Sequence, residues 1–250
     1  GDYSFLKTWN PANLTAKWWL NNDPKGEYGM YGQLGMLYNS TIWSAYKGTI
    51  IVSVLCALVA GTLGTLIGYA VSKKRRNKFA NYVNNIAFIP YLLPSIAVGI
   101  AFFKLLCNEY FSLYNTYALL IIVGTVKYIP FASRSSLNSM LQLSGEIEES
   151  AIIQDIPWIK RMFRIIIPIQ KTSILSGYLL PFTTCIRELS LFMMLSGIGT
   201  ILSTTMDYFD EMGLAAFSSG MNLILIVTVL ICNALINKLT GASLDKGIGG

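Results

Sequence analysis

Residues 44–71, SAYKGTIIVSVLCALVAGTLGTLIGYAV, carry one charge, Lys47. The run exceeds the roughly 20 apolar residues with which a helix crosses about 30 Å of hydrocarbon. Four further windows share this character, 82–106, 114–133, 172–194 and 214–237, and each is predicted to be a transmembrane helix. None shows the period-two alternation of a lipid-facing strand, so the expected fold is an all-α polytopic helical bundle, not a barrel. Composition agrees: 53% of the 250 residues are hydrophobic, 13% are charged and the mean hydropathy is +0.51. A water-soluble domain would need a larger charged surface.

The net charge of +6 is concentrated between spans. Lys73, Lys74, Arg75, Arg76 and Lys78 follow the first, while Arg134, Lys160, Arg161, Arg164 and Lys171 lie between the third and fourth. Short basic loops stay on the cytoplasmic side, so this charge marks orientation and gives no indication of nucleic-acid binding. The N-terminus is then outside and the C-terminus, with Lys238 and Lys246, cytoplasmic. Three regions follow: an extracytoplasmic segment 1–43 rich in Trp and Tyr, a transmembrane domain 44–240, and a tail 241–250. The opening Gly1-Asp2-Tyr3 suggests a piece of a longer chain.

There is no histidine, and Cys56, Cys107, Cys185 and Cys232 are widely spaced, so neither a metal site nor a disulfide framework is expected. No catalytic pair stands out, and no cofactor is expected on this chain.

One connection has helical character of its own. From Ser144 to Pro168, Ser144 is a plausible N-cap, and Glu146, Glu148 and Glu149 occupy the first turns, where carboxylates favour the helix dipole. Asp155 is expected to end this helix and cap a second, with Ile156, Ile159, Phe163 and Ile166 on its apolar face and Lys160, Arg161 and Arg164 facing headgroups or solvent. Glu148-Glu149-Ser150-Ala151, followed by Asp155 and Ile165-Ile166-Ile167-Pro168, resembles the cytoplasmic EAA motif of permeases from binding-protein-dependent type I ABC importers, with Asp155 at the usual Gly position. In that family the first helix docks on a cytoplasmic ATPase. The resemblance therefore implies ATPase coupling for Glu148, Glu149, Ser150, Ala151, Asp155 and Pro168.

Within the membrane, Pro90, Pro94 and Pro181 are expected to bend or break their spans, and such breaks often line a cavity. Arg187 and Glu188 fall inside the fourth predicted span, where an unpaired ion costs at least about 2.5 kcal/mol, so partners in the bundle or across an interface are expected. These five residues are the candidates for a translocation path or gate. Lys104 and Lys127, near span ends, are expected to snorkel to the interface. Gly64 and Gly68 are spaced for close helix packing.

Arg187-Glu-Leu-Ser190, Leu195-Ser-Gly-Ile-Gly-Thr200 and Gly213-Leu-Ala-Ala216 are similar to the second half of ferric-iron-type importer permeases, part of a wider set serving polyamines, thiamine, sulfate and phosphonates. The resemblance covers about 44–240. It implies a bacterial inner-membrane permease working with an ATPase dimer that holds ATP and Mg, a second permease half, an external binding protein and surrounding lipid. Such permeases often have six spans, so five fit a missing preceding one. The sequence contains no Gly-x4-Gly-Lys-Ser/Thr phosphate loop. An ion-driven secondary transporter is the competing class, since it too would use broken helices and intramembrane charges.

Overall fold

The computed structural model describes residues 16–23, 32–74 and 77–240. The tail 241–250, Arg75, Arg76 and much of the aromatic N-terminal segment, including Trp9, Tyr28 and Tyr31, lie outside the described residues.

The described chain is helical. A short α1 (Lys17–Leu20) precedes α2 (Ser40–Lys73), whose N-cap Asn39 accepts hydrogen bonds from the Thr41 and Ile42 amides. With 34 residues, α2 is longer than a bilayer requires, and its final turn carries Tyr69 and Lys73. Then come α3 (Lys78–Leu92), α4 (Ser95–Leu106) and α5 (Tyr117–Gln142). The charged connection forms α6 (Gly145–Ile153), α7 (Trp158–Arg161), a π-turn at Met162–Ile166 and α8 (Ile167–Ile169). The chain closes with α9 (Lys171–Cys185), α10 (Leu202–Glu211) and α11 (Ala215–Thr240).

Among the described residues three helices, α2, α5 and α11, are long and apolar enough to span on their own, and two bent pairs bring the number to as many as five. The window 82–106 is not one continuous helix. It breaks by 104° between α3 and α4 because Leu93, preceding Pro94, is held extended (φ −86°, ψ 139°). The second bend, 86°, falls at Gln170 between α8 and α9 and not at Pro181, which stays inside α9. The window 172–194 also ends early, at Cys185. Arg187 and Glu188 therefore lie in the turns beyond α9, not within a helix. The Glu188 carboxylate accepts the Leu191 amide at 3.0 Å, and the Ser203 hydroxyl donates to the Glu188 carbonyl at 2.7 Å, so this irregular backbone has partners of its own.

Two large apolar clusters organise the described bundle, with a smaller third of Met140, Met162, Ile166 and Ile174. Ile42, Ala45, Phe182, Phe209 and Phe217 join α2, α9, α10 and α11, while Val52, Leu119, Val123, Tyr128 and Phe192 join α2 to α5 and the 188–201 segment. The opposite face of α2 exposes Ile51, Leu55, Leu58 and Leu63, as a helix facing hydrocarbon does. Small residues set the α2–α5 spacing, as their pattern predicts. A Cβ on Gly68 would sit 2.7 Å from the Leu137 amide nitrogen, one on Gly64 2.7 Å from that of Ser133, and Ser136 donates across the seam to the Thr65 carbonyl at 3.2 Å.

Gly68→Val should therefore destabilise the bundle by about 1–3 kcal/mol, the usual cost of overpacking. In detergent melting experiments its midpoint should fall clearly below that of Leu58→Val on the lipid-facing side. Equal midpoints would refute the close seam.

Candidate functional site: the charged island and the broken helix

The island is built around a turn that the sequence explains only in part. Asp155 adopts the left-handed region, φ 51°, its amide bonding to the Ile152 carbonyl at 2.9 Å and that of Ile156 to the Ala151 carbonyl at 3.1 Å. This is a Schellman termination of α6, and its positive-φ position is normally occupied by glycine. Asp155 thus takes the conformation expected at the motif's Gly position. It does not cap the following helix, whose N-cap is Pro157 with no side-chain bond, and Ser144 likewise makes no side-chain cap to α6.

The six residues assigned to coupling by resemblance do not share one surface. Glu149 and Ser150 are exposed, and beside them Ile153 is 83% exposed, a large apolar side chain facing outward. Ala151 and Glu148 are buried against the body of the bundle, and Pro168 lies in α8. Glu148 is the centre of a cluster. The Tyr69 hydroxyl donates to its Oε1 at 2.5 Å, the Lys73 ammonium pairs with Oε2, and the Arg161 guanidinium lies 3.8 Å from Oε1. Burial alone would raise the Glu148 carboxyl, but Lys73, Tyr69 and Arg161 together outweigh it and hold the group below its ordinary range. Arg161 also donates to the Ile156 carbonyl at 2.9 Å, and Trp158 packs on Tyr69 with ring centroids 6.2 Å apart. One carboxylate thereby ties α6 and α7 to the end of α2.

Of the apolar face expected for the second helix, Ile166 is buried and Ile156 half-buried, but Ile159 and Phe163 are exposed and Met162 is buried instead, for the segment is not one continuous α-helix and passes from α7 into the π-turn at Met162; Arg161 turns inward, not to solvent.

The second candidate region is the α3–α4 break. Lys127 of α5 does not snorkel outward. Its ammonium donates to the Leu93 carbonyl at 2.6 Å and the Pro90 carbonyl at 3.0 Å, acceptors freed where α3 stops. The next residue, Tyr128, is 1% exposed and donates to Glu188 Oε2 at 2.6 Å. Pro90, Pro94 and Glu188 are thus brought to adjacent positions around α5. Pro181 lies elsewhere on α9, and Arg187 is exposed on this chain, its Nε 3.4 Å from the Thr183 carbonyl. Sequence reading missed Lys127. The signal was present in the proline pair, whose broken helix needs a donor.

The profile of the binding-protein-dependent transport system inner membrane component family matches residues 60–243. The chain belongs to this family. It is similar to the inner membrane ABC transporter permease protein YcjP of Escherichia coli, 24% identical over 212 residues covering 81% of this chain and 72% of that one. Similarity of the same order, 24% over 182 residues covering 72% of this chain and 71% of that one, relates it to the molybdate/tungstate transport system permease protein WtpB of Pyrococcus abyssi. In fold it matches the inward-facing MetNI methionine ABC transporter, with a TM-score of 0.67 at 14% identity over 80% of this chain and 92% of that one. It also matches a bacterial alginate ABC transporter in complex with a pentasaccharide-bound periplasmic protein, with a TM-score of 0.69 at 15% identity over 83% of this chain and 82% of that one. The chain is a permease component of an ABC importer, a class without an ATPase site of its own.

Two predictions concern this permease. A depressed carboxyl stabilises the fold fully above the ordinary carboxylate range, and that contribution disappears as pH falls through the lowered value. Wild-type melting in detergent should therefore show an acid-side loss attributable to Glu148, and Glu148→Gln should lack that component while being less stable at neutral pH by about 1–3 kcal/mol. Identical pH profiles would overturn the cluster's role. At the break, Lys127→Met leaves two carbonyls without their donor and should cost about 1–3 kcal/mol, against little for Lys104→Met at an exposed position, measured by the same melts.

Proposed function

We propose that this permease is the membrane conduit and lever of an ATP-driven importer, with α6 as the element that receives force from a cytoplasmic ATPase. The observation that carries this reading is α6 itself: a short helix closed by Asp155 in the left-handed conformation, presenting Glu149, Ser150 and Ile153 outward while Glu148 is fixed to α2. In this reading the basic loops face the cytoplasm, the N-terminal segment faces outward, an extracytoplasmic binding protein delivers cargo, and a second permease half completes the path. Movement of α6 is passed to α2 through Glu148 and through α7, the π-turn and α8 to the bend at Gln170, where α9 begins. Arg187, exposed on the single chain, is assigned to the permease–permease interface.

Ferric iron is the cargo proposed from the resemblance of 187–190 and 195–200. Fe(III) prefers anionic oxygen ligands, and the described residues contain no group of three or more His, Cys, Asp or Glu able to hold a metal ion. Coordination is assigned to the binding protein. A molybdate-type oxyanion is the second reading, favoured by the similarity to WtpB.

Two experiments test these points. Glu149→Lys combined with Ile153→Asp should leave the permease inserted and folded but abolish ATPase co-purification and uptake, because charge reversal on a docking face introduces repulsion and removes a charge-assisted bond. Normal uptake by that variant would refute the docking assignment. Vesicles holding the complete transporter and its cognate binding protein should take up labelled iron only when ATP is supplied on the ATPase side, and regardless of an ion gradient. Molybdate uptake without iron would replace the cargo and keep the lever.

A further inference from the structure

A groove of about 600 Å³ lies between the end of α2, the start of α3 and Trp158 of α7. Leu66 and Ala70 of α2 and Ala80 and Val83 of α3 give it an apolar lining, joined by Trp158. Lys73 and Lys74 also line it. Lys74 is exposed, and Lys73, though paired with Glu148, keeps 38% of its side chain open. Phe79, 71% exposed, projects beside them. Along α2 the lining passes from the apolar Leu66 and Ala70 to the cations Lys73 and Lys74, and Glu148, the carboxylate paired with Lys73, is buried.

We propose that this groove binds one anionic phospholipid, its acyl chain against Leu66, Ala70 and Val83 and its phosphate on Lys73 and Lys74. An apolar slot with a cationic mouth complements a molecule that is apolar along its length and anionic at its head. Exposed aromatic rings at the mouth suit headgroup depth. The import reading enters only in assigning the groove to the cytoplasmic leaflet. Because Lys73, Tyr69 and Trp158 line the groove and also belong to the Glu148 cluster, a bound phosphate shares its lysine with the carboxylate that anchors α6. The lipid is thereby a structural member of that cluster.

The test uses the full chain in detergent and displacement of a fluorescent phosphatidylglycerol. Unlabelled phosphatidylglycerol should compete at least about fivefold better than phosphatidylcholine, the preference one lysine gives near an anionic group, and inorganic phosphate should not compete. Lys74→Gln, which removes the charge, and Leu66→Trp, which fills the slot, should each weaken binding about fivefold or more. Lys104→Gln should not. Unchanged elution and helicity in each variant keep lost binding separate from lost folding. Equal competition by the two lipids, competition by free phosphate, or unaltered binding in both groove variants would overturn the proposal. So would efficient cross-linking of Val83→Cys to a second copy of the chain, which would place protein in the groove. None of these readouts depends on ATP or cargo, so they stand apart from the import experiments.

Discussion

A carbonyl that loses its helical partner inside a bilayer has no water to turn to, and the fold of this chain is governed by where it breaks its helices and what then satisfies the freed groups. At the α3–α4 break the donor is a cation. Lys127 reaches from α5 into the carbonyls of Pro90 and Leu93, at the negative end of the helix dipole. A lysine is well matched to this task, because its compact ammonium carries three donors and can serve two carbonyls together. In the irregular segment beyond α9, the donors come from the backbone and from hydroxyls: Leu191 to the Glu188 carboxylate, Ser203 to its carbonyl, and Tyr128 across from α5. Lys127 and Tyr128 are consecutive, so one turn of α5 serves both irregular segments.

That arrangement requires α5 to be held in place, and the α2–α5 seam does so by omission of side chains. Gly64 and Gly68 let the backbone of α5 approach until Ser136 can donate to the Thr65 carbonyl. With little hydrophobic force between helices in lipid, such close packing supplies much of the association. The same α2 then extends past its apolar length to bring Tyr69 and Lys73 to Glu148. Position in the membrane and attachment of the island are therefore properties of one helix.

The membrane class, the all-α fold and the island with its turn at Asp155 were legible because they depend on composition and local backbone preference. Direction was not. Hydropathy places Lys127 near a span end but cannot say that it points inward, since that depends on carbonyls 34 and 37 residues earlier becoming available. Two adjacent glutamates look alike in sequence, yet Glu148 faces α2 and Glu149 faces outward, because successive helical residues diverge by about 100°. The prolines were equally ambiguous. Pro94 breaks a helix through extended Leu93, whereas Pro181 stays inside α9.

If α6 receives force as proposed, the buried Glu148 cluster is what would let it pass that force on. A helix resting on a membrane by its apolar face alone would slide or rock when pushed, because hydrophobic contact has no preferred direction. An ion pair and a short hydrogen bond to a carboxylate are directional, and both lose energy steeply when distorted. Tyr69 and Lys73 belong to the rigid α2, and Arg161 belongs to α7, so Glu148 fixes α6 to the bundle on one side and to the path toward α9 on the other. In the proposed lever, the exposed residues of α6 serve the ATPase without also having to hold the helix in place. That division of labour between neighbouring positions follows from burial: the carboxylate inside is committed to three partners on its own chain, and the one outside is the position we assign to the ATPase.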